Sequence, residues 1–193
     1  METEAQTPAV LTPEELRVQG LHFGYGSNMS RAKLWSNLIG KHWGGTQNHT
    51  DYDKLDDGIV GSVAGFEFCT RPNGTANSAH TKTDSDVVWG VLYKLTPEQF
   101  DRIWDAEGRK SATLIPVEVT LQDGSTVNAS TWVFYSEVNG QREASNGADR
   151  KDDADIRKYY MELIVEAARS RNGIPAQYIE DTLIPIMTGR GRQ

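Results

Sequence analysis

Cysteine is almost missing from this 193-residue chain, and the single Cys69 has nothing to pair with. An intramolecular disulfide and a Cys-X-X-Cys metal pattern are both excluded. Basic charge is short as well: 20 Lys and Arg face 27 Asp and Glu, a formal net charge of −7, the wrong sign for a nucleic-acid-binding surface. No apolar run is long enough to span a membrane. No charged-then-apolar leader opens the chain, so cytoplasm is the expected location. Without a leader, the Asn-X-Ser/Thr triplets at Asn28, Asn48, Asn73 and Asn128 carry no expectation of glycosylation. Internal repeats are missing too. What remains is the composition of one globular domain with a substantial core.

The chain is organised around Leu21-His22-Phe23-Gly24-Tyr25-Gly26-Ser27-Asn28-Met29-Ser30. Leu21, Phe23 and Tyr25 alternate with small or polar residues, the period of a half-buried strand. From Ser30, a plausible N-cap, the pattern turns helical, with Leu34 and Leu38 on one face. A strand, a Gly-X-Gly-Ser-Asn loop and a helix start bring backbone N–H groups together where they can meet a carboxylate or phosphate. A dinucleotide fingerprint is ruled out because Met29 stands where its third glycine belongs, and no Gly-Lys-Ser/Thr follows to make a P-loop. An ordinary glycine-rich turn is the competing reading.

Residues 1 to 18 are polar, acidic and proline-punctuated, and are expected to form a flexible lead-in to a domain spanning 19–187, with 188–193 a flexible tail. Residues 40–61 are polar and rich in Gly, Asn and Asp, which suggests a lid or rim. His42 and His49 lie there beside four aspartates, without the spacing of a metal site. Val60 to Phe68 and Val87 to Tyr93 read as strands, and 71–86 as a polar hairpin-like connection.

Thr96-Pro97-Glu98-Gln99 is a helix start with Thr as N-cap, Pro at the first position and Gln completing a capping box. The helix should stop at Gly108. Phe100, Ile103, Trp104 and Glu107 share one face. A carboxylate on that face, at the negative end of the helix dipole, is expected to have a raised pKa suited to a general base. Pairing with Arg109 or Lys110 is the structural alternative. Two further strands, 113–121 and 126–135, form a hairpin about Asp123-Gly124, with Pro116 expected at an edge or bulge. Residues 137–153 read as a charged connection. Ile156, Tyr159, Tyr160, Leu163, Ile164, Ala167 and Ala168 then mark the clearest amphipathic helix, with both tyrosines on or near its buried stripe, and 176–187 a short closing helix. The strands do not alternate regularly with long helices, which implies a mixed α+β domain with mostly antiparallel strands.

The run Phe-Gly-Tyr-Gly-Ser-Asn-Met at 23–29 resembles the signature of the γ-glutamylcyclotransferase family. Val88-Trp89-Gly90-Val91-Leu92-Tyr93, Asp105-Ala106-Glu107-Gly108, and Tyr160 on a helix closing at Gly173-Ile174-Pro175 follow in the family's order. The resemblance implies a small closed or nearly closed β-barrel with flanking helices. It implies a lyase in which the α-amine of a γ-glutamyl group attacks its own γ-carbonyl, releasing 5-oxoproline and an amine or amino acid, without metal or cofactor. Glu107 would carry both proton transfers. Tyr25, Gly26, Ser27 and Asn28 would hold the substrate, and Tyr160 would face it. Leu114 and Trp132 stand at two pocket positions where mammalian-type members have tyrosine, which implies a more apolar pocket. A tailoring enzyme of secondary metabolism acting on a larger γ-glutamyl or amine-bearing compound fits those replacements as well as glutathione metabolism does. A non-catalytic anion-binding domain is the rival from another class. The expected partner is a small γ-glutamyl molecule, with neither nucleic acid nor membrane, and a homodimer is left open.

Overall fold

Residues 11–38, 55–70, 76–81, 83–107, 112–138, 141–144 and 154–188 are described by the computed structural model. Five strands close a mixed barrel in the order β1 (Leu21–Gly24), β5 (Val87–Lys94), β2 (Ile59–Ala64), β6 (Ala112–Leu121) and β7 (Thr126–Val138). Four of the pairings are antiparallel, and the fifth, β1 with β7, is parallel at the single register pair His22↔Ser130. Side chains lengthen that short seam: Ser130 Oγ donates to the Leu21 carbonyl at 3.0 Å and Thr131 Oγ1 to the Phe23 carbonyl at 2.7 Å. Two hydroxyl residues in an otherwise apolar part of β7 thus satisfy carbonyls that the strand ladder leaves over. Closure also changes β1 from the half-buried strand its alternation suggests. With a strand on either side, His22, Phe23 and Gly24 are all buried.

Beyond the barrel, β8 (Gln141–Ala144) pairs antiparallel with the end of β7, and β3 (Phe66–Thr70) pairs with β4 (Ala76–His80) in a separate two-stranded sheet. The single strand expected over 60–68 is therefore two. Gly65, at φ 75°, makes the break in a conformation that a side chain would strain. The polar connection expected at 71–86 contains β4, and the one expected after 137 contains β8. Both strands draw on paired backbone rather than an apolar pattern, which is why they escape periodicity. Asn77 fastens the small sheet to the barrel by donating to the Phe134 carbonyl at 2.9 Å and accepting from the Phe134 N–H at 3.0 Å.

Among the described residues six helices surround this frame: α1 (Pro13–Gln19), α2 (Arg31–Leu38), α3 (Pro97–Glu107), α4 (Ala154–Ser170), α5 (Ala176–Tyr178) and α6 (Ile184–Met187), the last two joined by a π-helical stretch, Ile179–Leu183. The α1 helix lies within the lead-in expected to be flexible. Thr12 and Glu15 form a full capping box, and Leu16 is 1% exposed whereas Val18 is 62% exposed. The ordered fold thus includes residues well before the expected boundary at 19; residues 1–10 and 189–193 lie outside the described chain. Helix α3 keeps its capping box, with the Thr96 N–H donating to Gln99 Oε1 at 2.9 Å and the Gln99 N–H to Thr96 Oγ1 at 3.2 Å. It buries Phe100 and Ile103, each contributing about 1.5–3 kcal/mol by transfer from water. Along α4 the buried stripe is Met161, Ile164, Val165, Ala167 and Ala168. Tyr160 lies beside it, but Tyr159 is 66% exposed, one step too far round the helix. Pro116 sits where β6 pairs with β7 alone, since β2 reaches β6 only at Thr120 and Leu121; a missing N–H costs nothing on that open side.

Candidate active site

The residues after β1 turn tightly. The Met29 N–H donates to the Gly26 carbonyl at 3.0 Å and the Ser30 N–H to the Ser27 carbonyl at 3.1 Å, closing a 3-10 turn over Ser27–Met29. Among the described residues, the N–H groups of Gly26, Ser27 and Asn28 make no backbone hydrogen bond, so the loop offers donors to a bound anion. Gly26 has little room for anything larger: a Cβ there would lie 3.1 Å from Ala76 Cβ and 3.9 Å from Tyr160 Oη. Ser30 caps α2 through the Lys33 N–H at 3.3 Å. Arg171, just beyond α4, donates from Nε to the Met29 carbonyl at 2.8 Å and from its guanidinium to Tyr93 Oη at 2.8 Å, fastening the far end of the loop.

A cleft of about 340 Å³, partly open to solvent, is lined by this loop, by His22 and Phe23 of β1, by Thr131, Trp132 and Phe134 of β7, and by Ala76, Glu107 and Tyr160. Glu107, at the last residue of α3, meets the loop directly: Asn28 Nδ2 donates to Glu107 Oε1 at 2.7 Å. Asn37 of α2 in turn donates to Asn28 Oδ1 at 2.9 Å. This second bond fixes which end of the Asn28 amide faces the carboxylate. Burial lowers the Lys33 pKa, and attraction to Glu107 opposes that shift.

Ser27 Oγ and Tyr160 Oη are 3.1 Å apart and share a hydrogen bond, which commits the serine to a tyrosine rather than to a base that could activate it. Tyr25 Oη donates to the Trp132 carbonyl at 2.7 Å, and burial pushes its phenol well above the ordinary range. Its hydroxyl belongs to the frame while the residue lines the cleft. The structure therefore brings together Tyr25, Gly26, Ser27, Asn28, Glu107, Trp132 and Tyr160. Leu114 is the exception: it is buried opposite Trp132 in the β6–β7 register and is not among the residues lining the cleft.

Sequence reasoning missed His22, Asn37 and Arg171. His22 is the polar residue on the second buried face of β1, visible only once the barrel closes. Asn37 adjoins the Leu34–Leu38 stripe at helical spacing, a signal open to a reader looking for polar neighbours of the loop. The loop histidines His42 and His49 lie outside the described residues. No cluster of metal-ligating side chains occurs among the described residues, nor is any described helix long and apolar enough to cross a membrane.

Residues 87–182, just under half of the chain, match the AIG2-like family model. Curated proteins give no sequence match. Among solved structures, a γ-glutamyl cyclotransferase superposes with a TM-score of 0.58 at 20% identity, covering 83% of each chain. An uncharacterized human protein gives 0.56 at 20% identity with the same coverage. A yeast γ-glutamyl cyclotransferase specific to glutathione gives 0.52 at 15% identity, covering 88% of this chain and 96% of its own. Over residues 87–182 this chain is similar to the AIG2-like family, and its fold is like that of the γ-glutamyl cyclotransferase it superposes on.

Proposed function

We propose that the protein is a γ-glutamyl cyclotransferase-type lyase, and the observation that carries this reading is the 2.7 Å bond from Asn28 of the anion-binding loop to Glu107. The loop and the carboxylate belong to separate elements, yet they meet in one cleft. The substrate's α-carboxylate would accept hydrogen bonds from the Gly26, Ser27 and Asn28 N–H groups, bending the γ-glutamyl chain so that its amine faces its own γ-carbonyl. Glu107 would take a proton as the amine nitrogen bonds to the γ-carbon. It would then return that proton to the leaving nitrogen as the γ-carbon–nitrogen bond breaks, giving 5-oxoproline and a free amine. Both reactants lie in one molecule, so the protein supplies folding and proton transfer rather than a nucleophile. The Ser27–Tyr160 pair supports the loop side, and Trp132 gives the cleft an apolar surface suited to a leaving group larger than a small polar amino acid.

Incubation with γ-glutamyl dipeptides, glutathione and bulky glutathione S-conjugates, with 5-oxoproline measured by mass spectrometry, tests this reading. Release from at least one compound class is expected, with the preferred member naming the leaving group. A folded protein that releases none from any of them would be a binding domain on this scaffold, and the proposal would fall.

A further inference from the structure

His22 is 1% exposed and Trp132 4% exposed, and both line the cleft. His22 Nδ1, His22 Nε2 and Trp132 Nε1 are fully buried without a well-formed hydrogen bond to the protein, the Ser130 backbone lying close to one His22 nitrogen but not in good geometry. Buried polar side-chain atoms are nearly always hydrogen-bonded, because leaving one unpaired costs about 1–3 kcal/mol. Two such residues side by side, their rings 5.7 Å apart between centroids, are therefore an exception that calls for a partner from outside the protein.

The rings are held by other aromatics rather than by polar contacts. Trp104 of α3 stacks on Trp132 at 5.1 Å, and Phe100 meets Trp132 at 5.3 Å and His22 edge-on at 6.2 Å. Burial pushes the His22 ring down to about 4, and the Ser130 backbone offsets only part of that; His22 is thus neutral near pH 7. A neutral imidazole presents one donor and one acceptor, and indole presents a donor only. An ammonium would confront the indole donor. A carboxylate, which only accepts, would leave the imidazole acceptor unpaired or force a buried ring to charge.

We propose that His22 and Trp132 form a neutral hydrogen-bonding subsite in the cleft that receives an uncharged amide or hydroxyl group carried by the substrate's leaving group. A group of this kind both accepts and donates, which matches the indole donor and the imidazole nitrogen that the Ser130 backbone does not meet. The inference rests on the γ-glutamyl reading and specifies the leaving group within it.

Binding to Glu107→Gln, measured by calorimetry, keeps substrates intact during the test. The probes are three γ-glutamyl compounds on one carbon frame, ending in a carboxamide, a carboxylate or a methyl group. The carboxamide is expected to bind at least tenfold more tightly than the other two. That preference should fall to threefold or less when His22→Phe or Trp132→Phe is added, and His22→Asn, which keeps a donor and an acceptor, should restore part of it. Equal binding of the three probes, or a preference that survives both aromatic substitutions, overturns the subsite while leaving the cyclotransferase reading intact. Absence of binding by all three to the folded protein overturns the γ-glutamyl reading and the subsite with it.

Discussion

On the loop side of the cleft each polar side chain has a partner: Asn37 holds Asn28, Asn28 holds Glu107, and Ser27 and Tyr160 hold each other. Across the same space, the ring nitrogens of His22 and Trp132 are buried with no well-formed hydrogen bond to the protein, the Ser130 backbone offsetting only part of the burial of His22. A satisfied network has little freedom to rearrange, and proton transfer depends on donor and acceptor keeping their places. Unpaired buried atoms weaken the free protein and reward a complementary ligand. On the proposed reading the two sides would serve different steps: the loop side would fix the geometry of the reaction, and the aromatic side would sense what is attached to the reacting group.

Removing the carboxylate breaks the loop side most severely. Glu107→Gln can still accept from Asn28 but cannot take the proton. Its turnover should fall by about a hundredfold to ten-thousandfold with little change in ligand binding; steady-state rates beside calorimetry would show the split. A drop in binding with turnover intact would assign Glu107 to substrate recognition instead.

The aromatic side is open to acid. His22 moves from an ordinary 6.5 down to about 4 on folding, mainly through burial. As pH falls below 6.5, the unfolded chain takes up a proton that the folded chain refuses. Stability present above 6.5 is therefore lost progressively toward pH 4, by about 3 kcal/mol. Urea unfolding at pH 7 and pH 4.5 should show this loss in the wild type and a smaller one in His22→Phe. Equal losses in the two proteins would mean that His22 does not remain buried and neutral.

Smaller effects follow from loosening the network one step back from the chemistry. Asn37→Ala frees the Asn28 amide to turn and should lower kcat by about tenfold, the equivalent of 1.4 kcal/mol, leaving the fold intact by circular dichroism. An unchanged kcat would show that Asn28 is oriented by its loop alone. Asn37→Asp keeps an oxygen but loses the donor, so it should resemble the alanine variant rather than the wild type.

Much of this was legible in the sequence where a local rule operates. The capping box fixed the start of α3, the apolar spacing put Glu107 on the same side as Phe100 and Ile103, and the glycine-spaced loop marked one wall of the cleft. The features that were not legible depend on closure. β1 reads as half-buried because periodicity knows nothing of β7, which joins it through Ser130 from over 100 residues away. His22 is consequently passed over. Leu114, placed at the pocket by the family resemblance alone, is packed in the core by the β6–β7 register. β4 and β8 are held by pairing partners rather than by their own patterns. The α1 capping box at Thr12 and Glu15 was present in the sequence, but its acidic, proline-marked surroundings resemble a flexible lead-in. Only the burial of Leu16 distinguishes the two.

The most direct test of the central claim, intramolecular attack within the Asn28–Glu107 cleft, is the identity of the product formed in H₂¹⁸O from a γ-glutamyl substrate. Attack by the substrate's own amine predicts 5-oxoproline without solvent oxygen, lost in Glu107→Gln. Glutamate carrying ¹⁸O would mean that water is the nucleophile, and intramolecular attack would be contradicted.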